Sequence, residues 1–200
     1  VIGQKTFTHP RLLLPVSDKR TISANNNDIY TMNEKLGLTK QGFTISFWMK
    51  INWPNDETQN IDSGIILYVG GTSMWNGKLV YLRHYGDAVY AMINQYNGQQ
   101  IGIPIARPYY NKTWVNVTLT CTEIDNSQES SFKLYRNGVL PGGAGSHTST
   151  INWSASGVTS LADEDRSIIR LPFLKTDASI DYRNLYIWNR VLTNEEITSV

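Results

Sequence analysis

Between residues 43 and 51 apolar and polar side chains alternate without a break. Phe43, Ile45, Phe47, Met49 and Ile51 share one parity, and Thr44, Ser46, Trp48 and Lys50 share the other. A period of two is the repeat of a strand with one buried face, whereas the apolar stripe of a helix follows a longer period. The pattern returns where Val115, Val117, Leu119 and Cys121 alternate with Asn116, Thr118 and Thr120. Further strand-like runs are expected at 64–69, 78–84, 89–95, 100–104, 131–136, 167–171 and 179–188. The dipeptides Gly70-Gly71, Asn76-Gly77, Gly86-Asp87, Asn97-Gly98 and Asn137-Gly138 punctuate them. Asn-Gly pairs tolerate the positive φ angles of tight hairpins. Many short strands joined by such turns predict an all-β fold, an antiparallel two-sheet β-sandwich of the jelly-roll kind.

The rest of the chain adds less regular material. Residues 1–20 mix Pro, Leu and basic side chains with no period and read as an extended N-terminal arm, leading into or packing along a domain of residues 21–200. Such an arm is also a means of self-association or of docking on a neighbour. The stretch 141–160 is rich in Gly, Ser and Thr and is expected to be a long surface loop. At the other end Thr193 stands three residues before Glu196, the spacing of a capping box. It predicts a short C-terminal helical turn that lays Leu192 and Ile197 against the sandwich.

Charge excludes some partners. Eighteen Lys and Arg against seventeen Asp and Glu leave a net charge of +1, which offers no field for nucleic acid or an anionic membrane. No apolar run has the length of a membrane span, so no membrane insertion is expected. The single cysteine, Cys121, rules out an internal disulfide and sits on the apolar parity of its strand, as a small buried side chain would. The sequence opens at Val1 without a basic-then-apolar leader, and reads as a chain processed or cut from a longer one. Sequons occur at Asn111, Asn116 and Asn152; a glycan on Asn116 would need the outward face of its strand.

Four segments in order resemble the concanavalin A-like, laminin-G-like jelly-roll family. They are 42–50 (GFTISFWMK), 112–120 (KTWVNVTLT), 132–139 (FKLYRNGV), and Ile180-Asp181 followed by 185–197 (LYIWNRVLTNEEI). The resemblance spans residues 42–197. It implies two antiparallel sheets and a carbohydrate- or protein-binding domain on a secreted, cell-surface or virion protein, such as an adhesion or attachment module.

Some members of that broader fold are glucanases with an acidic strand motif. Glu123, Asp125 and Glu129 approach it, but the second Glu comes one residue late. The intervening Asn126-Ser127-Gln128 has turn composition between two apparent strands, so the carboxylates lack the shared strand face and closed groove that hydrolysis needs. His9, His84 and His147 lack metal-ligand spacing, and no nucleophile elbow or phosphate loop is present. No catalytic residue is assigned.

Sugar recognition pairs a flat aromatic face with amide or carboxylate groups for the hydroxyls. Aromatics in turn-like segments are therefore the candidate ligand platforms: Trp53, Trp75, Tyr85, Tyr96 with Asn97, and Tyr109. Each has the alternative of capping the end of the sandwich. Trp48, Trp114 and Trp188 lie within strands and read as packing residues. The resemblance also implies a structural Ca²⁺ in many relatives. Asp28, Asp163, Asp165 and Asp181 are the oxygen sources here, with solvated acidic turns as the alternative. The expected function is a non-catalytic, lectin-like carbohydrate-binding module of a larger protein, taking a glycan or glycoprotein ligand. The alternative is a structural or assembly domain of a capsid, fibre or surface protein that binds no sugar.

Overall fold

A computed structural model describes residues 11–14, 20–23, 28–31, 42–52, 62–70, 78–85, 88–93, 100–104, 112–122, 129–141, 148–152, 168–171, 179–188 and 190–200. Within them lie thirteen strands and one helix. The strands are β1 (Arg11–Leu14), β2 (Arg20–Ser23), β3 (Asp28–Thr31), β4 (Phe43–Asn52), β5 (Asp62–Gly70), β6 (Lys78–Tyr85) and β7 (Ala88–Ile93), then β8 (Gln100–Pro104), β9 (Val115–Cys121), β10 (Glu129–Arg136), β11 (Thr148–Asn152), β12 (Ile168–Leu171) and β13 (Ser179–Trp188). The helix α1 spans Asn194–Ser199.

The strands form two antiparallel sheets, as the periodicity predicts. One runs β1-β13-β4-β9-β10-β11, with β2 also paired to β13; the other runs β3-β12-β5-β6-β7-β8. β13 is long enough to hold two short partners on one edge. Its first half pairs with β2 (Ser179 opposite Ser23) and its second half with β1 (Ile187 opposite Arg11). Arg11–Leu14, within the stretch read as an arm, thus makes its ladder with a strand of the same chain.

Alternation decides which face is buried. In β4 the side chains of Phe43, Ile45, Phe47, Met49 and Ile51 have no exposed surface. They meet Leu119, Val117 and Val115 across β9 and Ile187, Tyr182 and Ile180 across β13. Phe132 packs edge-on to Phe43, with ring centroids 6.4 Å apart. Leu67 of the second sheet is likewise fully buried. Each such side chain contributes about 1.5–3 kcal/mol by leaving water. Cys121 is buried on this inner face.

Turn chemistry fixes the connections. Asn137 and Gly138 have φ of 49° and 76°, and Arg136 and Val139 exchange both backbone hydrogen bonds across them. This is the two-residue turn whose twist matches the flanking strands. β6 and β7 pair from Tyr85 opposite Ala88 onward, with only Gly86-Asp87 between. β13 carries an irregularity between Arg183 and Tyr186, where Asn184 adopts φ 53°, a conformation Asn tolerates better than most residues. In one respect the structure corrects the expectation: 141–160 is not loop throughout. Thr148–Asn152 forms β11 and pairs with β10 along the sheet edge. Four of its five residues are polar, so no alternation announces the strand.

Candidate functional site

The outer face of the first sheet, the side turned away from the sandwich core, divides into two regions. One is roofed by the end of the chain. Thr193 caps α1 by accepting from the Glu196 N–H at 3.3 Å, while Glu196 Oε2 accepts from the Thr193 N–H at 2.9 Å, the reciprocal box that the sequence predicts. The helix lowers Ile197 and the preceding Leu192 onto Tyr135 and Trp188, with Tyr186 and Val200 at the margin. Thr44 pins the approach to the helix. Its Oγ1 donates to the Arg190 carbonyl at 2.9 Å and accepts from the Leu192 N–H at 3.0 Å. Trp188 is therefore the packing residue it was expected to be.

Polar side chains on this outer face are also satisfied and buried. Asn116 Nδ2 donates to Ser46 Oγ at 3.0 Å, Thr118 Oγ1 donates to Asn116 Oδ1 at 2.9 Å, and a 2.8 Å hydrogen bond joins Ser46 to Thr118. Asn116 is 2% exposed, so its amide has no room for a glycan despite the sequon.

The second region is different in kind. Register sets Asp181 opposite Lys50 and Arg183 opposite Trp48, while Trp48 faces Asn116 and Met49 faces Val115 across β9. Trp114, one residue before Val115, therefore stands beside Lys50. Trp48, Lys50, Trp114 and Arg183 are all half-buried. The Arg183 guanidinium carbon lies 4.1 Å from the Trp114 ring centroid and 5.6 Å from that of Trp48. Lys50 Nζ lies 5.5 Å from the Trp114 ring and 3.0 Å from Asp181 Oδ2. Cations at these distances are held by the negative faces of the rings. Trp48 and Trp114, read from the sequence as packing residues, are half-buried and pack with Arg183 and Lys50 rather than in the core. They share the parity of Ser46, Lys50 and Asn116, which points them away from the core.

Aromatic rings, a fork of guanidinium donors, an ammonium and a carboxylate on one half-open face can stack a planar or apolar ligand surface and hydrogen-bond its polar edge. The hairpin strands β9 and β10 pair from Cys121 opposite Phe132, and Glu129 opens β10. Glu123 and Asp125 lie outside the described residues.

Of the residues singled out in the sequence, Trp53, Trp75, Tyr96, Asn97, Tyr109, Asp163 and Asp165 also lie outside the described set. Tyr85 closes β6, and Asp28 opens β3 in the second sheet. Asp181 is in the first sheet, 1% exposed and bound to Lys50. A calcium ion at that oxygen would have to displace the ammonium, so this carboxylate suits an ion pair better than a cation site. Among the described residues no group of three His, Cys, Asp or Glu side chains converges to hold a metal. Nor is any described helix long and apolar enough to cross a membrane.

Comparison with known proteins agrees with this architecture. Solved structures with the same fold include the binding domain of botulinum neurotoxin serotype D (TM-score 0.63, 17% identity, covering 96% of this chain and 44% of that one). The receptor binding domain of type G is similar (TM-score 0.57, 15% identity, 95% and 45%). So is a structure of type C, whose cell entry is described as dependent on interaction with two ganglioside molecules (TM-score 0.58, 20% identity, 96% and 44%). The chain spans less than half the length of these structures, and at such identity the likeness is one of fold. No curated protein matches the chain. Residues 23–198 match the family model of the laminin-G-like branch of the concanavalin A-like lectin/glucanases superfamily, and the chain belongs to that family.

Proposed function

We propose that the chain is a non-catalytic, lectin-like module that recognises a glycan or glycoprotein for a larger secreted, surface or virion protein. The observation that supports this most is the half-exposed Trp48–Arg183–Trp114 stack beside Lys50 and Asp181. It combines apolar ring surface with directed donors and an acceptor on a sheet face that the C-terminal helix leaves uncovered. Membership of a family that includes lectins, and structural neighbours named as binding domains, favour the same reading. Fold alone would not, since this sandwich carries many functions.

A broad glycan array, probed once with calcium and once with chelator, tests it. Selective binding is the expected result. Loss on chelation would mark Asp28, Asp163 and Asp165 as oxygen ligands of a structural Ca²⁺. A blank in both conditions would move the assignment to a protein partner. The turn residues Trp53, Trp75, Tyr85, Tyr96, Asn97 and Tyr109 are the alternative platform. Trp53→Ala and Trp75→Ala would abolish binding if it were the one used, and Trp114→Ala would abolish it otherwise. No reducing sugar should be released from any glycan bound, and Glu123→Gln should change nothing.

A further inference from the structure

We propose that the face around Arg183 takes a carboxylate-bearing saccharide, with the guanidinium reading the carboxylate; this rests on the glycan-binding reading above. The stacking geometry comes first. The guanidinium's central carbon lies over the Trp114 ring, 4.1 Å from its centroid, and 5.6 Å from that of Trp48. The guanidinium N–H groups lie in its plane, so stacking leaves the edge fork for another partner. Nε is buried with no acceptor, which makes the two Nη groups of this half-buried side chain the edge offered outward.

Charge comes second. Lys50 is answered by Asp181 at 3.0 Å. Among the described residues no carboxylate pairs with Arg183. A cation already desolvated on one side gains more from an anion than one fully in water. Its planar fork matches the two oxygens of a carboxylate, which it holds by parallel hydrogen bonds. The third element is the apolar surface beside it. The indole surface left exposed by these half-buried side chains, next to a carboxylate receptor, suits a molecule carrying an acid group on a ring with an apolar C–H face. An acidic sugar has both in one residue. A neutral sugar brings hydroxyls alone and leaves the Arg183 charge unmet, and an acidic peptide brings the carboxylate without the ring.

The test uses the 200-residue chain and matched glycan triplets: a neutral oligosaccharide, the same chain ending in a sialic or uronic acid, and the same chain sulfated. A carboxyl-reduced copy of the acidic member and a polyglutamate peptide serve as further probes. The acidic glycan should bind about tenfold or more tighter than its neutral parent, the order expected for a charge-assisted pair, and carboxyl reduction should erase the difference. Arg183→Gln should remove that preference, and Arg183→Lys should restore part of it, since a point charge lacks the fork. Equal binding of neutral and acidic members would overturn the proposal while leaving the glycan-binding reading intact. Preference for the sulfated member alone, or equal binding of polyglutamate, would also overturn it. A blank across every glycan would remove both readings. Should Arg183→Gln lose its near-ultraviolet circular dichroism, the carboxyl-reduced glycan on the unaltered chain decides the matter.

Discussion

The single hydroxyl of Thr44 ties the last segment of the chain to the sheet, donating to the Arg190 carbonyl and accepting from the Leu192 N–H where the threonine itself is fully buried. Thr44→Val keeps the shape and strands both backbone groups, so it should cost about 1–3 kcal/mol, the penalty of an unmet buried hydrogen bond. Thermal unfolding measures it; an unchanged midpoint would show that water replaces the hydroxyl. Asn116 poses a similar case. Its amide closes a network with Ser46 and Thr118, so Asn116→Ala should destabilise the fold by a comparable amount of about 1–3 kcal/mol. Expressed through a glycosylating secretory route, the chain should carry no glycan at Asn116, and mass spectrometry of the tryptic peptide reads this directly. The tryptophans show what a residue's parity can and cannot say. The alternation in β4 sets Trp48 with Thr44, Ser46 and Lys50, away from the core, and this was legible. Arg183 was not, because its meeting with Trp114 spans two strands whose register no local pattern reveals.

At the scale of elements, α1 is held at both ends by features the sequence displays. Arg190 forms two parallel bonds with Glu196, at 2.8 and 2.6 Å. The Arg190 guanidinium first, and the Thr193 N–H second, hold the Glu196 carboxyl at about 2, down from 4.5. A folded value below the unfolded one means that this contribution is complete above pH 4.5 and is lost as the pH falls toward 2. The pair is well exposed, with side chains 42% and 40% accessible, and solvent keeps the effect small. An acid titration followed by Trp188 fluorescence should show an early step in that window, absent from Glu196→Gln; identical curves would assign the step to other carboxylates. The Asn137-Gly138 turn abuts the same helix. A Cβ on Gly138 would meet the Thr198 Cα at 2.9 Å, at φ +76°. Gly138→Ala should therefore cost more than the ~1 kcal/mol of a left-handed alanine alone, and should loosen α1 first, seen as faster amide exchange at Ile197 than in β4. The strands left unread, β1, β2, β3 and β11, each line a sheet edge. An edge strand buries less and needs less alternation, so RLLL and TSTIN carry no strand signature. Central strands such as β4 and β9 are flanked on both sides and announce themselves.

For the whole molecule, the sandwich and the family follow from core alternation, turn dipeptides and the order of four motifs. The binding face depends on something else. The C-terminal helix covers only part of the outer sheet, and the rest holds two indoles and a guanidinium that no carboxylate among the described residues meets. The most direct test follows the indole N–H resonances of all six tryptophans by nuclear magnetic resonance, while the best acidic glycan from the array is added. Trp48 and Trp114 should shift with the ligand while Trp188 stays fixed beneath α1. Shifts at Trp53 and Trp75 with Trp48 and Trp114 unmoved would contradict the account and place the ligand on the turns.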